Sequence, residues 1–282
     1  MEFGSLYLVA TPIGNLNDIT YRAVETLRNS DLIACEDTRH SLKLLNHFDI
    51  QKPLTSYFEH NRKEKGEYII SLIKEGKNVS LVTDAGTPAI SDPGEDLVRL
   101  CIDEGIKVVP VPGAVALINA LIISGQSTGR FSFEGFLSVN KKSRTEHLES
   151  LRDEKRTMIF YEAPHKLIKT LADMEEVFGN RPISIVREIT KLHEECSFTT
   201  LNDAIEFYKN NAPKGEYVLV VAGKSEEEED FENSLKYADL SIKEHVDMLI
   251  GEGVDKKQAI KDVSKLRQIP KRDVYNEYVK DE

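Results

Sequence analysis

Through its first 125 residues the chain alternates short apolar runs with amphipathic stretches of helical period, and that alternation leaves few folds open. The runs are Leu6–Ala10, Leu32–Cys35, Leu54–Tyr57, Val79–Val82 and Val108–Val111. Each is too short for a helix and apolar enough for a strand buried on both faces. Between them, apolar residues recur every three to four positions: Ala23, Val24 and Leu27; Leu42, Leu45 and Phe48; Ile69, Leu72 and Ile73; Leu97, Leu100 and Cys101. A last such segment, Ala116 to Ile122, follows the fifth run and stops at Gly125. Strands that alternate with helices predict an open parallel sheet.

In such sheets ligands settle beyond the carboxyl ends of the strands. Here four runs end in residues poorly suited to packing: Thr11-Pro12-Ile13-Gly14, Glu36-Asp37-Thr38-Arg39, Thr83-Asp84-Ala85-Gly86 and Val111-Pro112-Gly113. One carboxylate at a strand end is a routine helix cap. Several, beside an arginine and three glycine-bearing turns, predict a crevice for a polar, cationic ligand. The fourth run is followed by the small residues Ala85, Gly86, Thr87 and Pro88 and then by Asp92, Pro93 and Glu95, which read as N-cap, first and third positions of a helix. Asp18 and Thr20 are the cap candidates for the first helix.

Several chemistries are excluded by pattern. No glycine-rich loop ends in Gly-Lys-Ser/Thr, and no Gly-x-Gly-x-x-Gly follows a strand, which argues against an NTPase or a dinucleotide enzyme. A serine nucleophile elbow is missing too. The histidines are scattered, so no metal site is expected. Cys35, Cys101 and Cys196 lie too far apart for a disulfide framework, which points to the reducing cytoplasm. The net charge of −11 means that any nucleic acid must meet local basic patches. The apolar stretch from Ile106 to Ser124 nearly reaches membrane-spanning length, but Pro110, Pro112 and Gly113 divide it into a strand, a turn and a core helix, so no membrane partner is expected. Met1–Ser5 (MEFGS) reads as a fusion remnant outside the fold.

From Phe131 the pattern changes. Thr157–Tyr161, Ile183–Glu188, Ser197–Thr200 and Tyr217–Ala222 read as strands, and Thr145–Leu151, Leu167–Phe178 and Asn202–Tyr208 as helices. A second α/β layer with some antiparallel strands fits. Ser225 to Asp230 is acidic, and the rest is helical in pattern, with Ser241, Asp255 and Pro270 as start signals. The expected division is therefore a parallel α/β domain (residues 6–125), a second α/β domain (126–224), an acidic linker (225–234) and a small C-terminal helical segment (235–282).

The stretches LVATPIGNLNDIT, ACEDTRH, VTDAGTPAISDPG, VPVPGA, FSFEGFL, FYEAPHKL, REITKLHEE and KGEYVLVV, in that order between Leu6 and about Ala222, resemble the ribosomal RNA small subunit methyltransferase I family, a branch of the tetrapyrrole methylase superfamily. The resemblance implies two α/β domains of tetrapyrrole-methylase type with S-adenosylmethionine in the cleft between them. It implies methylation of a cytidine ribose 2′-hydroxyl in the decoding region of small-subunit rRNA, and a homodimer. Gly86-Thr87-Pro88 stands where the wider superfamily has Gly-Asp-Pro, as in the rRNA branch. Val115 stands where the branch commonly has serine, leaving backbone contacts at that turn.

On this reading the cofactor-binding candidates are Pro12, Asp84, Ala85, Gly86, Thr87, Ile90, Pro112, Gly113, Ala114, Val115, Tyr161, Glu162 and Ala163. A ribose hydroxyl is a poor nucleophile and needs a base or a polarising group. The candidates are Glu36, Asp37, Arg39, Asp84, Glu162, Glu188, Lys191 and His193, with Glu36-Asp37-Thr38-Arg39 the preferred substrate-side group. Arg39 suits bidentate phosphate binding, and equally an ion pair with Glu36 or Asp37. RNA contacts are expected from three places: Tyr57 to Lys63, where aromatic and basic groups interleave; Lys141, Lys142 and Arg144 in a mobile loop; and Val254 to Arg272, with seven cations against two carboxylates. Two other readings remain open: a methyltransferase of the same fold acting on a small tetrapyrrole-like substrate, and a non-catalytic ribosome-binding factor.

Overall fold

The computed structural model describes residues 2–229, 237, 240–267 and 269–280. The chain forms two compact units, Met1–Ala222 and Gly223–Glu282.

The first unit holds two five-stranded sheets. The first is built from β1 (Ser5–Val9), β2 (Leu32–Cys35), β3 (Leu54–Ser56), β4 (Val79–Leu81) and β5 (Lys107–Val111), in the order β3-β2-β4-β1-β5. Every pairing in it is parallel. Four helices connect the strands: α1 (Tyr21–Asn29), α2 (Thr38–His47), α3 (Arg62–Lys74) and α4 (Gly94–Asp103). Successive side chains of a strand point to opposite faces, so the sheet carries two cores. Leu6, Leu81 and Val79 pack with Ile69, Ile73 and Leu97 from α3 and α4. Val9, Ile33 and Cys35 pack with Ala23, Leu27 and Leu45 from α1 and α2. Each such aliphatic side chain, fully buried, contributes about 1.5–3 kcal/mol.

Gly4 and Ser5, read as part of a remnant outside the fold, belong to it. Ser5 opens β1, and the Gly4 N–H donates to the Ile73 carbonyl at 2.9 Å. Of the two cap candidates for α1, Thr20 performs the role by accepting the Ala23 N–H, and Asp18 lies in a preceding 3-10 turn, Leu16–Asp18. The helix start at Asp92 is shifted as well. α4 begins at Gly94, and Asp92 instead ties the loop before it, its Oδ1 accepting N–H groups from Ala89 (3.0 Å) and Gly94 (2.7 Å).

The second sheet comprises β6 (Phe131–Phe136), β7 (Thr157–Glu162), β8 (Pro182–Arg187), β9 (Glu195–Thr200) and β10 (Tyr217–Val221), in the order β6-β7-β10-β8-β9. Only β6 and β7 run parallel; β10 pairs antiparallel with both β7 and β8, and β9 antiparallel with β8. Helices α6 (Lys141–Ser150), α7 (Leu167–Phe178) and α8 (Leu201–Asn210) cover one face. The other face is covered by α5 (Ala116–Ile123), whose Leu117, Ala120 and Leu121 pack on Ile159, Val186, Val218 and Val220. The sequence division at residue 125 grouped this helix with the first sheet. Its packing belongs to the second, and a helix with almost no polar residues carries no polar face to show in advance which sheet it covers. Lys141, Lys142 and Arg144 are not in a mobile loop either: they form the first turn of α6, and buried Arg144 pairs with Asp173 and donates to the carbonyls of Ser138 and Val139.

Among the described residues of the second unit, α9 (Ile242–Gly251), α10 (Lys256–Leu266) and α11 (Lys271–Lys280) pack around Val246, Ile260, Val263, Val274 and Tyr278. Ser241 and Glu244 form a capping box on α9, and Asp255 caps α10. Of the acidic linker, residues 230–234 lie outside the described residues. Among the described residues, no helix is long and apolar enough to cross a membrane.

Candidate active site

The carboxyl ends of the first sheet face the edge of the second sheet formed by the ends of β6 and β7 and the start of β10, and a cleft of about 520 Å³ lies between them. Of the candidates read from the sequence, Glu36, Asp84, Ala85, Gly86, Thr87, Ile90 and Val115 line it from the first lobe, and Tyr161, Glu162 and Ala163 from the second.

Three strand-end loops are joined into one surface. Thr11 and Gly86 exchange backbone hydrogen bonds (2.9 and 3.2 Å), and the Thr11 hydroxyl donates to the Thr83 carbonyl at 3.2 Å. The Thr87 hydroxyl donates to the Ala114 carbonyl at 3.1 Å. Gly86 has φ +86°, a conformation that L side chains rarely adopt, and it turns the chain under Ile13. Pro12, Pro112, Gly113 and Ala114 therefore stand behind the lining rather than in it. The next loop is strained, with left-handed Ala89 (φ 67°) and Ser91 (φ 63°). Asp92 holds it in place.

Glu36 lies at the rim. Burial, then the neighbouring charges of Asp84, Asp92 and Asp37, push its carboxyl above the usual range. Asp37 and Arg39 sit outside the lining and are bound to each other: Arg39 Nε and a terminal guanidinium nitrogen donate to the two carboxylate oxygens at 3.1 and 2.8 Å. Those hydrogen bonds hold the Asp37 carboxyl down at about 2. Asp37 also caps α2 through the Arg39 N–H. Of the two readings of Arg39, the ion pair is the one present.

On the far wall, the Leu117 N–H donates to Tyr161 Oη at 3.2 Å, which leaves the phenol hydrogen free to turn toward the cleft. Phe133 and Phe136 meet the Tyr161 ring edge-on at 4.9 and 5.5 Å between centroids. Glu162 is buried, accepting the Ala163 N–H at 2.8 Å and the Thr170 hydroxyl at 2.5 Å. Glu188 does not line the cleft. It has φ 50°, accepts the Glu216 N–H (2.9 Å) and pairs with Lys191 (2.9 Å), whose hydrogen bond pulls its carboxyl below the usual range. Lys191 also reaches Glu216 at 3.0 Å. The ion pair fixes the loop that presents Ile189 to the cleft. His193 is exposed and lies outside the lining.

The aromatic–basic stretch after β3 is largely occupied elsewhere. Tyr57 is buried at 1% exposure, and Arg62 pairs with Asp96 (2.6 Å) and Glu59 (3.3 Å). In the second unit Arg267 turns inward and donates to His245 Nδ1 and to the carbonyls of Tyr237, Leu240 and Ser241. Lys257, Lys261, Lys265, Lys271 and Arg272 remain exposed. Among the described residues, no three His, Cys, Asp or Glu side chains are grouped to hold a metal ion.

Sequence reasoning missed Ile13, Ser91, Phe136, Val186, Ile189 and Glu216–Val218 as lining residues. The last three were hidden by direction. An antiparallel β10 brings its start, not its end, to the cleft, and apolar spacing does not report strand direction.

A model of the family Tetrapyrrole (Corrin/Porphyrin) Methylases matches residues 5–205. The chain is 50% identical to Ribosomal RNA small subunit methyltransferase I of Halalkalibacterium halodurans over 98% of its own length and 94% of the relative's. It is 47% identical to the protein of the same name from Bacillus subtilis, again over 98% and 94%. Among solved structures it is similar to a diphthine synthase, with TM-score 0.62, 15% identity, and coverage of 81% of this chain and 94% of that one. It is also similar to uroporphyrin-III C-methyltransferase from Thermus thermophilus complexed with S-adenyl homocysteine, with TM-score 0.56, 15% identity and coverage of 78% and 98%.

Proposed function

This chain belongs to the tetrapyrrole methylase family and, within it, to the ribosomal RNA small subunit methyltransferase I family, and from that premise we propose that it uses S-adenosylmethionine to methylate the ribose 2′-hydroxyl of a cytidine in the decoding region of small-subunit rRNA. The observation that carries this reading is the single cleft onto which chain segments from Ile13 to Val218 converge.

The cleft suits the donor. Its volume lies in the ordinary range for small-molecule sites, and Ile13, Ile90, Val115, Tyr161 and Val218 give it apolar walls for a flat base. Carboxylates on the first-lobe wall suit a positive charge. The backbone of Asp84 to Thr87 and Ile90, with Val115, Tyr161, Glu162 and Ala163, would hold the donor, and Pro12 and Pro112 to Ala114 would brace those loops. When bound, the donor supplies an electrophilic methyl group on a sulfonium.

The protein's own tasks are positioning and proton transfer. Glu36 sits at the rim with a raised carboxyl pKa, which brings its basicity closer to what proton abstraction from a hydroxyl requires. It takes the 2′-hydroxyl proton as the oxygen attacks. The Asp37–Arg39 pair keeps the rim of α2 rigid, and the Glu188–Lys191 pair does the same for the opposite loop. The rRNA backbone meets the exposed lysines of α10. The protein acts in the cytoplasm as a homodimer and needs no metal.

The experiment is transfer of radioactive methyl groups to small ribosomal subunits lacking this modification, followed by nucleoside analysis. The expected product is 2′-O-methylcytidine. A base-methylated nucleoside would reject the assignment, and absence of label would favour a non-catalytic binding factor.

A further inference from the structure

Five side chains lining the cleft are carboxylates, Glu36, Asp84, Asp92, Glu162 and Glu216, and among the described lining residues none is lysine, arginine or histidine. Two of the five are already answered. Glu162 accepts from Ala163 and Thr170, and Glu216 pairs with Lys191. The other three share the first-lobe wall. Asp84 Oδ1 accepts the neutral N–H of Asp37 at 3.2 Å. Asp92 uses Oδ1 for the N–H groups of Ala89 and Gly94, while its Oδ2 is shut off from solvent with no hydrogen-bond partner. Glu36 stands near enough to both for their charges to disfavour its ionised form. Arg39, the nearest cation in sequence, is taken by Asp37.

A buried carboxylate oxygen without a donor is rare in folded proteins, and because this one is closed to solvent it acts on the cleft through its charge and not by contact. Like charges gathered without a counter-ion oppose one another until a cation arrives. We infer that the wall of Glu36, Asp84 and Asp92 is a charge filter, which holds the sulfonium form of the donor and lets go of the neutral thioether left after transfer. The inference rests on the reading of this cleft as the S-adenosylmethionine site. Donor and product differ by one methyl group and one unit of charge. A pocket that binds by shape alone scarcely separates them, since a methyl group alters little of the contact surface. A wall of unpaired carboxylates does separate them, because an opposite charge nearby in a partly desolvated site is strongly favoured. The same wall repels phosphate, so the target nucleotide enters sugar-first and its backbone stays outside.

The test is calorimetry on the full-length protein with three ligands: S-adenosylmethionine, S-adenosylhomocysteine and sinefungin, whose amine carries positive charge in place of the sulfonium. The wild type is expected to bind both cationic ligands about tenfold or more tighter than the thioether. In Asp84→Asn and Asp92→Asn the ratio should shrink toward one, mainly through weaker binding of the cations. The asparagine amide oxygen at position 92 still accepts from Ala89 and Gly94, so the loop keeps its tie, and unchanged melting verifies this. Glu95→Gln removes an exposed carboxylate on α4 and should leave the ratio as it was. A wild-type ratio near one, or a ratio unmoved in both asparagine variants, overturns the inference. Failure of all three ligands to bind overturns the donor-site reading beneath it.

Discussion

Glu36 and Asp37 are adjacent in sequence, yet their surroundings push them in opposite directions. Asp37 bonds a guanidinium that stabilises its charge; Glu36, exposed at the rim and only partly desolvated, stands among other carboxylates. Only the second has basicity to offer. Glu36→Gln keeps the shape and removes the proton acceptor, and it should lower kcat by about 10²–10⁴-fold at saturating donor, measured in single-turnover methyl transfer, and should also weaken donor binding because one carboxylate of the cleft wall is lost. Because the raised group must be ionised to act, wild-type activity should rise with pH through its pKa, and that limb should vanish in the variant. His245 offers a second titration, in the C-terminal unit. Burial, then the Arg267 charge, lowers its pKa below the ordinary 6.5. Nδ1 accepts from Arg267 at 3.1 Å, and Nε2 is buried without a partner among the described residues. The folded state therefore binds fewer protons than the unfolded one near that pH. The stability this group contributes is present above about pH 6.5 and is lost as pH falls through the lower folded value. Hydrogen exchange of the α9–α11 amides, corrected for intrinsic rate, should accelerate on acidification, and less so in His245→Gln.

At the scale of elements, the first sheet was legible because its strands are buried on both faces and its helices are amphipathic. Both patterns survive in sequence as apolar runs and helical spacing. Thus Leu32–Cys35 was read to the residue, and so was the helix Leu167–Phe178. The tie at Asp92 was not legible. A carboxylate before Pro-Gly looks the same whether it caps the helix or the loop, and only the left-handed backbone at Ala89 and Ser91 decides between them. Nor was the destination of α5, since a helix with no polar face carries no direction. Its outer Ile118 and Ile122 remain 40% and 65% exposed, while Leu117 and Leu121 choose the second sheet. Gly14 is another element-scale feature, placed where the loop after β1 meets the loop after β8. A Cβ there would lie 2.4 Å from Lys191 Cγ and 2.9 Å from Thr190 Oγ1. Gly14→Ala should destabilise the first unit by about 1–3 kcal/mol, read by urea denaturation. It should also weaken donor binding, because the Ile189 loop is displaced.

For the molecule as a whole, net charge and function pull apart. A chain at −11 has no general attraction for RNA, and its cleft is acidic too. Affinity must come from restricted surfaces, and the best placed is one helical face. Lys257, Lys261 and Lys265 recur at intervals of four along α10 and are exposed, whereas Arg267 is committed to holding the unit together. Replacing those three lysines by glutamate should weaken rRNA binding and reduce the slope of log affinity against log salt by about 2 if all three meet single-stranded phosphates, with melting unchanged. An unaltered slope in filter binding would remove this face from the interface.

The strand order of the second sheet carries a consequence for how the protein comes into being. β10 is the last strand of its sheet to be synthesised, yet it occupies the middle, hydrogen-bonded to β7 on one side and β8 on the other. Until Val221 has left the ribosomal tunnel, the layer is two unconnected pairs, and the wall that Tyr217 and Val218 supply is missing. The nascent polypeptide is therefore inert for most of its translation. Competence arrives in one late step, when a single five-residue segment slots home.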